Sequence, residues 1–477
     1  MRLLLALRLL SLTLVVLSSA ACGAALPLAQ APAPVPVTAG LPSPTPVPPT
    51  PVPPTPVPPT TTPVPPSPTP TPAPIVPTPT LAPLSAELRE QVFLEVWSLV
   101  RDRYVYRDYR GQDWDAVRAE FAPRVAAAED EEAFYALIEE LIDRLGDEHS
   151  RFDTPQEVAE EEARFSGKLV YAGIGALVRE EPEGVIITRL ARGGPAEEAG
   201  IEPRDMIVAV NGTPVSDTVT IGPGGPIGAV RGEPGTTVSL TVRTHLGQMR
   251  ELSLVRRVIP GDAFPAVEGR RLGGSDIGLL MIETFSAADL ERLARAELQR
   301  LVASGPLDGL VVDVRGNGGG RVDLLLEVVG LFVDGGTIGT SEGRMGSREL
   351  QIPSDDIVPY LAGVPVVVLT GEDTVSAAEM FAGGLQALGR ARVVGKPSAG
   401  NTENLLGHIL PDGSRLWLAE LVFRLPDGTL IEGAGVQPDQ LVEADWWRYP
   451  IEEDPQILAA VEILRFASVA PAVSGRQ

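Results

Sequence analysis

The stretch VPVVVLTGEDTVSAAEMFAGGLQAL, residues 364–388, decides the fold of this chain. Val366 to Leu369 is a continuous apolar run, rich in β-branched residues, which predicts a strand buried on both faces. A polar turn follows, and from Ser376 onward apolar residues recur at helical spacing. A serine between a strand and a helix can present its hydroxyl beside the N–H groups of the helix start. The pattern Ser-x-x-Glu is also a capping box, so these residues alone leave open a nucleophile or a helix cap.

Composition limits the classes of function that the chain can have. Its 477 residues are enough for two or three domains, and a formal net charge of −24 argues against a nucleic-acid partner, which needs a basic face. The chain contains two lysines, Lys168 and Lys396, and three histidines, His149, His245 and His408. A catalytic base must therefore come from a short list.

Residues 1–22 carry the pattern of a secretion signal. Two arginines precede the apolar run Leu9 to Leu17, which is too short to span a membrane, and small residues then lead to Cys22. Cys22 is the only cysteine, so no intramolecular disulfide can form. Its position resembles the lipobox of bacterial lipoproteins, in which the cysteine is lipidated after cleavage. The alternative is cleavage among the alanines, which would release a soluble protein.

Residues 23–84 are predicted to be a linker. Pro27 to Pro83 is a Pro/Thr/Val/Ala tract with repeated PVPPT units, which cannot bury a core and favours extended polyproline II. At roughly 3.1 Å per residue the tract could hold a domain more than about 100 Å from an anchor. That reach suits a protein tethered to the outer face of a cell membrane.

Residues 85–164 are predicted to form a helical domain. Ala86 to Tyr104 and Glu131 to Leu145 both carry apolar residues at helical spacing. The second helix leads into the polar segment DEHSRF, which contains His149. Most histidines in such loops are exposed to solvent and have no catalytic role, but an imidazole can also act as a base near neutral pH.

Residues 165–258 change to short strands separated by Gly/Pro turns. The order YAGIGAL, GPAEEAGI and RDMIVAVNG, which begin at residues 171, 194 and 204, resembles a PDZ domain. The resemblance implies that Gly173, Ile174 and Gly175 bind a peptide's C-terminal carboxylate through backbone N–H groups while the peptide adds a strand. The alternative is that this unit only packs against its neighbour.

Residues 259–466 are predicted to form one α/β domain with a C-terminal helix, and residues 467–477 a tail. Ile277 to Ile282 and Gly309 to Val314 have the apolar pattern of buried strands. The loop RGNGGG, residues 315–320, follows the second strand. It lacks the spacing of a dinucleotide-binding loop and has no P-loop lysine, so we do not assign it to nucleotide binding. We predict no cofactor and no metal for this chain. Backbone N–H groups at such a helix start can instead hold an oxyanion.

Together these segments resemble peptidase family S41, the carboxyl-terminal processing proteases and their tricorn-like relatives. The resemblance covers roughly Ser85 to Leu464. Its motifs are LGDEHSRF (145–152), DVRGNGGG (313–320), SAAE (376–379), VVGKPSAGNT (393–402), LPDGS (410–414) and IEGAGVQPD (431–439). It implies a multidomain α+β chain with an N-terminal helical domain, a PDZ-like β domain and an α/β core of the S41 (ClpP/crotonase-like) type.

The resemblance also implies the roles of individual residues. Ser376 would be the nucleophile, and the backbone N–H groups of Ala377 and Gly319 would form the oxyanion hole, with Gly318 as the alternative to Gly319. Processing proteases of the family pair the serine with a lysine, but Asn401 stands at that position.

The tricorn-like branch uses serine, histidine and glutamate, and His149 and Glu432 stand at its matching positions. A carboxylate on the second ring nitrogen fixes the tautomer of such a histidine and stabilises its protonated form. His408 is the competing histidine. We therefore predict a secreted, lipid-anchored serine endopeptidase that takes protein or peptide substrates by their C-termini and contacts the membrane only through Cys22. The alternative is a catalytically inactive, PDZ-bearing scaffold, because the family lysine is missing.

Overall fold

The computed structural model describes residues 84–469, with gaps at 148, 166–171, 218–219, 222–224 and 261–262. The predicted signal segment, Cys22 and Lys168 lie outside the described residues, as does all of the predicted linker except Leu84. Among the helices that are described, none is long and apolar enough to cross a membrane.

The N-terminal part consists of helices followed by a short strand and one more helix. These elements are α1 (Ala86–Arg103), α2 (Trp114–Ala126), α3 (Glu131–Asp143), β1 (Arg151–Asp153) and α4 (Pro155–Phe165). Asp113 and Asp130 cap α2 and α3, because each carboxylate accepts a backbone N–H of the first helical turn. The strand β1 pairs with residues 415–417, far along the chain. This pairing fixes the segment just before β1, which contains His149, against the C-terminal half of the molecule.

The PDZ-like part is an antiparallel sheet with two short helices. Its elements are β2 (Ala172–Gly173), β3 (Ala176–Glu181), β4 (Gly184–Leu190), α5 (Pro195–Glu198), β5 (Met206–Val210), β6 (Thr213–Pro214), α6 (Gly225–Val230), β7 (Thr237–Arg243), β8 (Met249–Val255) and β9 (Arg257–Val258). The strand order is β3-β4-β5-β7-β8, with β6 beside β5, while β2 pairs with β9. Alternate residues of β7, Val238, Leu240 and Val242, are buried in its core, as expected for a strand with one covered face.

The C-terminal part contains a layered α/β core. Its elements are β10 (Val267–Arg271), β11 (Ile277–Ile282), α7 (Leu290–Ala303), β12 (Gly309–Asp313), α8 (Val322–Gly330), β13 (Thr337–Gly343), β14 (Gly346–Gln351), α9 (Val358–Leu361), β15 (Val366–Thr370), α10 (Ala377–Ala387), β16 (Ala391–Gly395), β17 (Asn404–Ile409), β18 (Arg415–Arg424), β19 (Gln440–Leu441) and α11 (Pro455–Val469). The main sheet has the order β10-β11-β12-β15-β16-β19, and only β10 runs antiparallel to its neighbour.

The strand β15 is buried on both faces, as its sequence predicts. Val366 and Val368 face the core formed with α7, α8 and α10, whereas Val367 and Leu369 face the core formed with α11. Parallel strands β12 and β15 are neighbours, so the loops that follow them meet at one edge of the sheet. Those loops are RGNGGG and the turn that ends at Ser376, which places the two motifs together.

A second sheet joins the N-terminal helices to the core. Its order is β1-β18-β13-β14, with β17 also paired to β18. Buried Leu416, Leu418 and Ala419 of β18 belong to the same apolar cluster as the residues of α1, α2 and α3. The fold class predicted from the sequence is confirmed. The helical segment, however, shares its core with β18.

Candidate active site

Ser376 occupies the junction between β15 and α10 in a strained backbone conformation. Its φ of 56° and ψ of −120° differ from the extended conformation that an N-cap residue normally adopts. A non-glycine residue held there costs roughly 1–3 kcal/mol, and such strain concentrates at functional sites. Its N–H donates to the carbonyl oxygen of Asn401 at 2.9 Å and to Glu379 Oε2 at 2.9 Å. This conformation favours the nucleophile over the simple cap.

Glu379 links the turn that contains Ser376 to the segment at residues 398–401 through hydrogen bonds. Its carboxylate is fully buried, and Oε1 accepts the Ser398 hydroxyl and the Gly400 N–H, both at 2.6 Å. The other oxygen, Oε2, accepts the N–H groups of Asn401 at 2.8 Å and Ser376 at 2.9 Å. Asn401 is therefore held beside Ser376 by its backbone. Its side-chain amide cannot accept a proton near neutral pH, so it does not replace the family lysine as a base.

The predicted oxyanion donors lie at this turn, and one of them is already bonded. A Cβ on Gly319 would lie 2.8 Å from Ser376 Cβ and 3.2 Å from the backbone nitrogen of Ala377, so the glycine backbone is next to the serine. The Gly319 N–H donates to Asn317 Oδ1 at 2.8 Å. The Gly319 N–H can therefore donate to an oxyanion only when its hydrogen bond to Asn317 is broken. Gly318, the alternative donor, also lines the cavity that contains Ser376. The assignment of the second donor stays a prediction.

His149 and Ser376 line the same cavity, which has a volume of 1120 Å³. The loop that carries His149 is fixed by Asp147, whose Oδ1 accepts the N–H groups of His149 at 3.1 Å and Ser150 at 2.6 Å. The Ser150 hydroxyl in turn accepts the Ala419 N–H of β18 at 3.1 Å. The pairing of β1 with β18 thus brings a histidine from the N-terminal part to the cavity that Ser376 lines.

Two carboxylates lie beside His149, and the sequence predicted only one of them. The predicted Glu432 accepts the Thr402 N–H at 2.6 Å and the Thr402 hydroxyl at 3.0 Å, both through Oε2. Glu403 was missed, and its Oε2 lies 3.5 Å from His149 Nδ1. One ligand atom from each of His149, Glu403 and Glu432 lies within 4.8 Å of the others. The sequence contained a signal for Glu403. In an extended chain, side chains two residues apart point to the same side, so residue 403 is expected on the same side as residue 401, the position of the family lysine.

The Glu403 carboxyl is an unusual group in this cavity. It is 2% exposed, and neither oxygen has a hydrogen-bond partner of regular geometry among the described residues. Burial raises the pKa of the Glu403 carboxyl, and the nearby carboxylate of Glu432 raises it further. The Tyr106 hydroxyl and His149 lower this pKa, but it remains above its ordinary value. The site therefore places a carboxyl with a raised pKa directly beside the candidate base.

Comparison with known domains assigns the family. Residues 276–442 match the domain described as Peptidase family S41, residues 85–143 the Tricorn protease C1 domain, and residues 186–244 a PDZ domain. The chain therefore carries a domain of peptidase family S41 at residues 276–442. The sequence-based identification of the family and of the PDZ segment is confirmed.

Relatives of this S41 peptidase carry protease names. The carboxyl-terminal-processing protease of Picosynechococcus sp. is 29% identical over 384 residues, which cover 79% of this chain and 89% of the relative. The probable CtpA-like serine protease of Staphylococcus aureus is 29% identical over 65% of this chain and 60% of its own length. A solved structure, the photosystem II D1 C-terminal processing protease, aligns with a TM-score of 0.54 at 25% identity, covering 75% of this chain and 94% of that one. The chain is thus a serine-type peptidase, and the inactive scaffold finds no support in these comparisons.

The other candidate bases of the S41 peptidase are engaged elsewhere. Lys396 Nζ lies 3.1 Å from Asp445 Oδ1 and also contacts Glu372. Burial lowers the pKa of Lys396, but hydrogen bonds to these two carboxylates outweigh it and leave the pKa raised, so the amine stays charged. His408 Nε2 lies 2.5 Å from Glu420 Oε1, on β17 and β18. Among the described residues that line the cavity of Ser376, His149 is the one histidine.

The PDZ-like part of the peptidase has its own groove, with a volume of 510 Å³. The predicted residues Gly173, Ile174 and Gly175 line it, together with apolar side chains of β3 and α6. The Ile174 carbonyl oxygen accepts the Ala196 N–H of α5 at 2.8 Å, which fixes this loop against the helix. Elsewhere the PDZ-like part packs against the core, where Trp447 Nε1 donates to Glu181 Oε1 at 2.7 Å. It therefore both packs against the catalytic part and retains an open groove.

Replacing Glu403 by glutamine should change stability in a pH-dependent way. Because the folded-state pKa of Glu403 is raised, its contribution to stability is present at low pH and is lost as the pH rises through that value. Glu403→Gln should therefore raise Tm at pH 8, by on the order of 2 °C, and leave Tm nearly unchanged at pH 4.5. Thermal unfolding in metal-free buffer at the two pH values measures this.

A matched control for that experiment is Glu420→Gln. Glu420 is equally buried, but His408 and Arg103 pair with it, so the same substitution should lower Tm at pH 8. A loss of the same size in both variants would contradict the account of Glu403.

Proposed function

We propose that this chain is a cell-envelope serine endopeptidase in which Ser376 is acylated with His149 as general base. The observation that carries the proposal is the shared cavity: a serine in a strained strand-to-helix turn faces the same space as the histidine. The tricorn-like match at residues 85–143 supports it, because this segment ends just before His149. Histidine acts as a base near neutral pH without a strongly shifted pKa.

In this mechanism the Ser376 hydroxyl attacks the scissile carbonyl while His149 accepts its proton and later donates it to the leaving amine. The Ala377 N–H and one of the two neighbouring glycine N–H groups, of Gly318 or Gly319, stabilise the oxyanion. A carboxylate at His149 Nδ1 fixes the ring so that Nε2 faces the serine. Glu403 is the nearer carboxylate and fills that position, and Glu432, the residue predicted from the sequence, adds negative charge beside it.

Covalent labelling with a serine-reactive phosphonate tests this proposal. The wild-type chain should form one adduct, and digestion followed by mass spectrometry should locate it on the peptide that contains Ser376. The Ser376→Ala variant should remain unlabelled. An adduct on another serine, or equal labelling of both proteins, would show that the nucleophile lies elsewhere.

We also propose that the PDZ-like groove binds substrates by their C-termini. Its position beside the Gly173–Gly175 loop and its apolar lining suit an added strand that ends in an apolar residue and a free carboxylate. In fluorescence anisotropy with the full-length Ser376→Ala protein, a free-acid peptide ending in an apolar residue should bind at least about tenfold more tightly than its C-terminal amide. Equal binding of the two peptides would exclude carboxylate recognition.

The localisation that we propose is the outer face of the cell membrane, with lipid at Cys22 and the Pro-rich linker as spacer. The support is the arrangement of signal, cysteine and linker in the first 84 residues. Cys22→Ser should move the protein from the membrane fraction to the medium. If both proteins fractionate alike, the anchor is not this cysteine.

A further inference from the structure

The three side chains beside the nucleophile have the composition and spacing of a metal site. His149, Glu403 and Glu432 each offer one ligand atom, and these atoms lie within 4.8 Å of one another. Ligand atoms around a tetrahedral zinc ion are roughly 3.3–3.6 Å apart, given zinc–ligand bonds of about 2.0–2.2 Å. The distance from His149 Nδ1 to Glu403 Oε2 is 3.5 Å. Two of the three ligands are therefore already at the spacing that zinc requires.

The state of Glu403 independently points to a ligand. Its side chain is 2% exposed, and no described residue gives either of its oxygens a regular hydrogen bond. A buried carboxylate that lacks a regular hydrogen bond is costly, and a second carboxylate, Glu432, lies beside it. A divalent cation between them would neutralise both charges and give Glu403 the close polar contact that it lacks.

Glu432 is held as metal-binding carboxylates usually are. The Thr402 N–H and hydroxyl both donate to its Oε2, at 2.6 and 3.0 Å, and thereby fix the orientation of the carboxylate. Hydrogen bonds of this kind are typical of metal-binding carboxylates. They fix the side chain before the metal binds, so less conformational entropy is lost on binding. Neutral imidazole with two carboxylates is a ligand set that suits zinc and leaves a fourth position for water.

We propose that His149, Glu403 and Glu432 bind one zinc-class divalent cation, and that the bound cation inhibits the peptidase by occupying the imidazole that serves Ser376. The inhibitory part rests on the proposed function, whereas the binding part does not. A cation at Nδ1 displaces the proton that this nitrogen carries in the catalytic tautomer. The neutral ring then holds its proton on Nε2, so the metal-bound enzyme cannot deprotonate its serine. Removal of the cation restores the base.

Zinc titration of the full-length, untagged Ser376→Ala protein tests binding without any need for activity. We expect one zinc ion per chain by isothermal titration calorimetry after chelator treatment. His149→Ala and Glu403→Gln, each added to this background, should weaken binding at least tenfold. The matched controls are His408→Ala and Glu420→Gln, which alter a second close histidine–glutamate pair and should leave binding unchanged. Cys22→Ser in the same background controls for a thiolate ligand.

Several results would overturn the site. They are the absence of stoichiometric binding, unchanged affinity in Glu403→Gln when its Tm shows a folded protein, and an equal loss in the His408→Ala control. Glu432→Gln provides a second variant in case Glu403→Gln does not fold.

Activity measurements test the inhibitory role. Zinc should slow both substrate hydrolysis and phosphonate labelling of the wild-type protein, a chelator should reverse the effect, and magnesium at the same concentration should have none. Zinc binding with full activity would overturn the inhibitory role. A protein that binds zinc but is never labelled at Ser376 would instead refute the proposed function and leave the metal site in place.

Discussion

The Ser376→Ala variant is expected to lose all measurable hydrolysis of an unfolded protein substrate while it keeps its fold. The reason is the position of the hydroxyl, at a strained turn in the cavity shared with His149. In serine proteases, loss of the nucleophile lowers kcat by about a millionfold, which takes the rate below most assays. Peptide release from a denatured protein, followed by mass spectrometry, measures the loss.

The control for this variant must separate chemistry from stability. Loss of a serine at a helix start costs about 1 kcal/mol when the serine acts as a cap, so the thermal midpoints of both proteins must be compared. Ser304→Ala, at the end of α7 and outside the cavity, is a matched substitution that should keep full activity. Full residual activity in Ser376→Ala would refute the assignment of the nucleophile.

The parts of the fold that the sequence predicted depend on local patterns. The apolar run at residues 366–369 predicted a strand covered on both faces, and every residue of β15 is buried. Residues 277–282 form a strand as predicted, and the helix predicted over 86–104 is found at Ala86–Arg103. These features follow from the spacing of apolar residues, which can be read from a short segment of the sequence.

The parts that the sequence did not predict depend on distant contacts. Phe152 of β1 pairs with Leu416 of β18, but the local sequence of neither segment identifies the other as its pairing partner. The same holds for Glu403, whose place beside His149 depends on that pairing, and for Asn317, whose side chain accepts the Gly319 N–H. The motif match predicted Ser376 as the nucleophile and His149 as its base, but it could not predict the hydrogen bonds that decide which neighbouring groups remain available.

His149→Ala is the second variant for which we expect a very large effect. The structure supports the choice of this residue from the short list of lysines and histidines. Lys396 is paired with two carboxylates, and His408 is paired with Glu420. Among the described histidines, His149 alone lines the cavity of Ser376. Without a base the serine hydroxyl keeps its proton, so kcat/KM should fall by about four to six orders of magnitude.

The deciding measurement compares kcat/KM of His149→Ala with that of Lys396→Ala and His408→Ala. The last two should retain near-normal turnover, with some loss of stability because each removes one ion-pair partner from a carboxylate. Phosphonate labelling of His149→Ala should also become slow, although Ser376 is still present, because the nucleophile is no longer activated. If His149→Ala turns over normally while one of the other two is inactive, the base is that other residue, and the tricorn-like assignment of the site is wrong.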